Sequence, residues 1–75
     1  MEYKTSDIYL ATALVTSGFP LLDLDRTNGQ RMDFCFENSP KILETVDKFW
    51  ASNLIVEPQT LLGNLKKLKS RIYNS

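Results

Sequence analysis

The chain has no histidine and a single cysteine, Cys35. It therefore lacks the side chain best suited to acid–base work near neutral pH, which is also the commonest nitrogen ligand for a metal. One cysteine excludes an internal disulfide. With no imidazole to activate it, Cys35 reads as a small packing residue rather than a nucleophile. Net charge is missing too, because nine basic residues cancel nine acidic ones. No long-range field draws nucleic acid or an anionic membrane, so either would need a local patch. No apolar run approaches the roughly 18 residues of a membrane span. The opening residues lack the charged and apolar regions of a signal peptide. There is no repeat, low-complexity tract or linker. These absences point to a reduced, cytoplasmic protein with no cofactor, no catalytic residue and no membrane association.

What is present is ordinary globular material. Hydrophobic residues make up 43% and charged residues 24% of 75, which predicts one domain over residues 1–75. A chain of this size buries only about 60% of its unfolded surface, so its core is small and its stability a few kcal/mol.

"YKTSDIYLATALVTSG" carries a helix start. Thr5 or Ser6 can cap it, Asp7 complements the positive end of the dipole, and Gly18 suits the left-handed closing position. Ile8, Leu10, Ala11, Leu14 and Val15 make one broad apolar face. Residues 19–25 and 30–37 alternate with period two, as strands do, around Asn28-Gly29. A two-residue loop would set Leu24 against Asp33 and mix the two sides. A three-residue loop, Thr27-Asn28-Gly29, pairs Leu24 with Met32 and Leu22 with Phe34, and keeps one side apolar. "NSPKILETVDKFWASN" predicts the clearest helix, with Ser39 as cap, Pro40 at the first position and Asn53 at the stop. Its inward stripe is Ile42, Leu43, Val46, Phe49 and Trp50, and truncating Trp50 is expected to cost about 3–5 kcal/mol. Glu44 and Lys48 pair on the wet side. "LIV", residues 54–56, reads as a short third strand. Pro58 opens a last helix that buries Leu61, Leu62, Leu65, Leu68 and Ile72, with Gly63 and Asn64 off the stripe. The predicted fold is α+β in the order α-β-β-α-β-α, a small two-layer domain in which helices cover one face of an antiparallel hairpin plus a short third strand.

The segments "YKTSDIYLATAL", "FCFE", "KFW" and "LKKLKSRIY" stand in an order that resembles an uncharacterised family of short bacterial and phage proteins, a domain of unknown function. The resemblance runs from Tyr3 to Tyr73. It implies a stand-alone small α+β domain in a bacterial or phage setting, and it carries no activity and no functional residue.

Three groups of residues invite a functional reading. Asp23, Asp25, Asp33 and Glu37 crowd the hairpin, and Asp23 is expected opposite Asp33, a like-charge pair that needs neutralising. A divalent cation would do this, and so would Arg31 opposite Asp25. The favoured expectation is a wet sheet face without metal. Lys66, Lys67, Lys69 and Arg71, together with the hairpin's Arg26 and Arg31, could meet phosphates, with Tyr73 stacking on a base. The same charges also suit the wet side and C-terminus of a helix. Finally, Tyr9, Thr12, Ala13 and Thr16 form an uncharged outer face on the first helix. Such a face is expected to be covered, either by another protein or second subunit, or by residues 1–4 or the last helix of the same chain. The leading expectation is a small non-enzymatic interaction or regulatory accessory protein that binds a protein partner or itself. A nucleic-acid binder is the alternative, and a metal-dependent activity at the hairpin a minor third.

Overall fold

The computed structural model describes residues 1–28 and 31–74, with only the backbone of 27 and 28. Among them the elements are β1 (Glu2–Thr5), α1 (Ile8–Thr16), β2 (Asp23–Asn28), β3 (Arg31–Glu37), α2 (Pro40–Trp50) and α3 (Pro58–Asn74). The three strands form one antiparallel sheet in the order β1-β3-β2. Helices pack against one face of it, so the two-layer α+β architecture stands, in the order β-α-β-β-α-α. No helix among the described residues is long and apolar enough to cross a membrane.

The third strand lies at the start of the chain, and the expected strand at 54–56 is irregular backbone instead. The reason can be read from four residues. Glu2 and Lys4 point outward while Tyr3 and Thr5 are half-buried, which is the period-two pattern of a sheet edge. Tyr3 faces Phe36 and Thr5 faces Phe34 across the ladder. That pairing leaves Asp7, rather than Thr5 or Ser6, to cap α1. Its carboxylate accepts from the amides of Tyr9 at 2.8 Å and Leu10 at 3.2 Å. Gly18 closes α1 with φ +104. Its amide donates to Val15 O and that of Phe19 to Leu14 O, each at 3.0 Å, the double bond of a Schellman end.

The hairpin keeps the expected inward face of Leu24, Phe34 and Phe36 but not its expected partners, and Leu22, expected on that face opposite Phe34, precedes β2 and is exposed. Leu24 lies opposite Phe34 rather than Met32, and Asp25 rather than Asp23 lies opposite Asp33. A slip of two residues preserves which side chains face the helices. The pairing then shifts between Asp25 and Asn28, so that residues 26 and 27 face residue 32 alone, a β-bulge. Strand β2 continues to Asn28, which pairs with Arg31, and the Gly29 of the expected loop lies outside the described residues.

Leu10, Ala11, Leu14, Phe34, Phe36, Ile42 and Leu68 form the core between sheet and helices. On α2 the inward line is Ile42, Val46 and Phe49, at i, i+4 and i+7. Leu43 and Trp50 sit to its side and are exposed, which corrects the expectation that Trp50 is buried. Trp50 is the last residue of α2, where its ring meets Phe49 edge to face at 4.9 Å. Ser39 accepts from the Ile42 amide at 3.2 Å, Pro40 takes the first turn, and Glu44 pairs with Lys48 at 3.5 Å, all as expected. The helix stops before Asn53 because Ser52 takes φ +60.

Candidate functional site

The outer face of α1 carries the most informative outcome. Thr12 and Ala13 are buried, Thr16 is half-buried, and Tyr9 alone of the four is exposed. Much of the cover is α3, whose Asn64 Nδ2 donates to Thr16 Oγ1 at 3.0 Å. Asn64 therefore lies against α1 rather than off the packed side. The hydroxyls of Thr12 and Thr16 donate to Ile8 O and Thr12 O at 2.7 and 2.8 Å, so neither leaves an unpaired donor. Small side chains let two helices approach closely. The covering expected of this face thus comes in good part from within the chain.

The cover is incomplete. Tyr9, Thr12 and Ala13 form one wall of an open cleft of about 460 Å³. Phe49 and Ser52 at the end of α2 form the second wall, Leu54 and Val56 the third, and Leu61, Leu62 and Leu65 of α3 the last. No lining residue is charged, and the polar groups among their side chains are the hydroxyls of Tyr9, Thr12 and Ser52. Two of the lining side chains are large and exposed, Tyr9 (60%) and Leu62 (62%), while the exposed Trp50 (62%) and Ile55 (94%) are neighbours of lining residues in sequence and are not themselves part of the lining. Leu62 is therefore not part of the buried stripe of α3. Sequence reasoning found Tyr9, Thr12 and Ala13 here but read Leu54–Val56 as strand and Leu62 and Trp50 as core.

Two helix ends hold the segment between α2 and α3. At one end the Ser52 amide donates to Phe49 O at 3.1 Å and the Asn53 amide to Lys48 O at 2.9 Å. At the other, the Glu57 carboxylate accepts from the amides of Gln59 at 2.9 Å and Thr60 at 2.7 Å, and from the Thr60 hydroxyl at 2.7 Å. The Gln59 amide, followed by the two Thr60 donors, holds the Glu57 pKa below its ordinary value.

The cationic residues expected to act together separate into three groups. Arg31 and Lys69 line a second cleft, of about 450 Å³, together with Tyr73, Met32 and Phe34. Arg26 instead donates from Nη2 to Ile72 O at 2.8 Å, fastening the bulged hairpin to the C-terminal end of α3. Lys66, Lys67 and Arg71 are exposed along α3 and line neither of these two clefts.

The hairpin carboxylates face cations from the chain itself. Lys4 reaches across the central strand to Asp25 at 3.0 Å, and Arg31 Nε meets Asp33 Oδ1 at 3.2 Å. The expected partner of Asp25 was Arg31, and the role of Lys4 followed only once β1 was placed on this sheet. No three of His, Cys, Asp and Glu converge as metal ligands among the described residues. The face is not wet throughout, because Asp33 and Cys35 on the central strand are buried beneath their neighbours. Burial, and next the nearby Glu2, push the Cys35 thiol pKa upward, against a smaller opposing pull from Lys4.

Residues 1–74 match a family described as a domain of unknown function, DUF5659. The chain belongs to that family. No curated protein and no solved structure matches it. DUF5659 membership agrees with the resemblance seen in the motifs, and it leaves the function of the clefts to their geometry.

Proposed function

We propose that this DUF5659 protein is a small non-enzymatic interaction domain, an accessory or regulatory protein of bacterial or phage type working in the cytoplasm, and that the uncharged cleft is its docking surface. The single observation that carries this reading is an apolar hollow with no charged lining residue, in whose walls the large side chains of Tyr9 and Leu62 are exposed. Isolated exposed apolar residues are normal, whereas a contiguous group around a cavity marks a binding surface. The hollow offers hydroxyls but no acid, base or cation, which suits an apolar protein segment and gives no means of proton transfer.

Selection of short peptides from a displayed random library tests this directly. Peptides rich in large apolar residues are expected to enrich on wild type and to lose binding on Leu62→Glu. That substitution lies on the exposed side of α3 and costs the fold under about 0.5 kcal/mol. Enriched peptides that bind Leu62→Glu equally well, or no enrichment at all, would overturn the reading.

A second reading has its own observation. Arg31, Lys69 and Tyr73 share a cleft, an arrangement suited to phosphate contact and base stacking in single-stranded nucleic acid. It predicts oligonucleotide binding that weakens steeply with salt, with a shallower slope in Lys69→Ala and weaker binding in Tyr73→Ala. Unchanged binding in both variants would remove it.

A further inference from the structure

Independently of the docking reading of the first cleft, we propose that the second cleft binds a small anionic amphiphile, a single alkyl chain carrying one carboxylate or phosphate head. Its floor and its rim suit the two halves of such a molecule. Ile8 at the start of α1, Met32 and Phe34 of β3 and Ile72 of α3 make the floor apolar. Phe34 belongs to the core and Ile8 and Ile72 pack against it, so the hollow reaches down to the hydrophobic layer. Ser6, Arg31, Lys69 and Tyr73, all exposed, supply the polar groups. Small-ligand sites are mostly apolar clefts of about 300–1,000 Å³ with a few converging polar groups. The volume here, about 450 Å³, falls within that range.

Charge selects the head. No carboxylate lines the cleft. The helix on one side of it, α3, carries Lys66, Lys67, Lys69 and Arg71 and has no Asp or Glu over residues 58–74. Lys69 forms no ion pair among the described residues. Arg31 is held to Asp33 through Nε at 3.2 Å, which keeps it at the rim. Arg26, bonded to Ile72 O at 2.8 Å, adds a further cation at the end of α3. A neutral chain thus places a local cationic patch beside an apolar hollow, and an anionic head gains charge-assisted hydrogen bonds there. A wholly apolar ligand would desolvate Lys69 without giving it a partner. A free inorganic anion would leave the floor unfilled. A nucleic-acid strand gains most from stacking on exposed rings, yet Tyr73 is the one exposed ring in this lining and Phe34 is 1% exposed.

Titration calorimetry combined with methyl NMR tests the proposal, with decanoate, decyl phosphate, decanol and acetate as probes. Decanoate or decyl phosphate is expected to bind one per chain and to shift the methyls of Ile8, Met32 and Ile72, leaving Leu54 and Leu62 of the first cleft unmoved. The tighter of the two identifies the head. Decanol and acetate each lack one half of the contact and should bind about tenfold more weakly or worse. Lys69→Glu should weaken the alkyl anion by about tenfold or more, and Ser6→Trp, which fills the cleft from its rim, should abolish binding. Both positions are exposed, so both variants should stay folded. Decanol binding as tightly as decanoate, shifts confined to the first cleft, or no binding of either alkyl anion would overturn the proposal. So would a single-stranded oligonucleotide that binds through Lys69 where the alkyl anions do not, a result that assigns the cleft to nucleic acid. Peptide docking at the first cleft is reported separately by Leu62→Glu, so the two readings fail independently.

Discussion

Replacing Ser52 by glycine should stabilise this protein, against the usual direction of a change to glycine. Ser52 closes α2 with φ +60, in the left-handed region that costs an L-residue roughly 1–2 kcal/mol. Glycine has no such penalty there, but it loses more backbone freedom on folding, which returns roughly 0.5–1 kcal/mol. Both hydrogen bonds of the helix end, Ser52 N–H to Phe49 O and Asn53 N–H to Lys48 O, are made by backbone and survive the change. The net gain is therefore about 0.5–1 kcal/mol, or a Tm rise of about 2–8 °C for a domain of this size. The reciprocal change completes the argument. Gly18 closes α1 in the same way at φ +104, and a Cβ there would meet nothing within 4 Å. Gly18→Ala should thus cost about 1 kcal/mol through backbone conformation alone. Thermal unfolding followed by circular dichroism, with urea denaturation at unchanged m, measures both. A lower Tm for Ser52→Gly, or a neutral Gly18→Ala, would refute the reasoning.

Other expectations follow from burial and charge. Ile42→Ala should cost about 2–5 kcal/mol and leave the chain largely unfolded, whereas Trp50→Ala should lose only about 0.5–1.5 kcal/mol of ring contact with Phe49, as read by urea denaturation. Equal losses would contradict the placement of α2. Cys35, 1% exposed and with its thiol pKa raised, should react with a maleimide far more slowly in the native protein than in denaturant. Fast labelling of the native thiol would show that the sheet face is open. Because the folded pKa of Glu57 is depressed, its stabilisation is present above the unfolded carboxylate pKa and lost as pH falls through the folded value. The Tm gap between wild type and Glu57→Gln should accordingly be present at neutral pH and close in acid, and a gap that widens on acidification would contradict the cap.

Much of the fold was legible in residue patterns. Ser39-Pro40 and Gly18 mark helix ends through local chemistry, and the hairpin's faces follow from period-two alternation. Its register did not follow, because a slip of two residues leaves that alternation unchanged and the bulge between Asp25 and Asn28 has no clear signature. "EYKT" is a strand by its alternation, but four residues beside a helix cap are easily read as the lead-in to that helix. "LIV" is as apolar as a strand, yet Leu54 and Val56 line the cleft and Ile55 is exposed. Trp50 and Leu62 fell on apolar stripes because a helical wheel gives direction without saying how wide the covering layer is. The uncharged face of α1 was visible from composition. Its division into a buried part and a cleft wall depends on where α3 crosses, which no local pattern encodes.

The central claim, that the uncharged cleft is the docking surface, is met most directly by methyl NMR spectra recorded while an apolar peptide selected on the wild type is titrated in. The account predicts saturable shifts at Leu54, Val56, Leu61, Leu62 and Leu65, which line the cleft, with the exposed Leu22 and Leu43, which do not, unmoved. Shifts centred on Leu22 or Leu43, or spectra unchanged by the peptide, would contradict it.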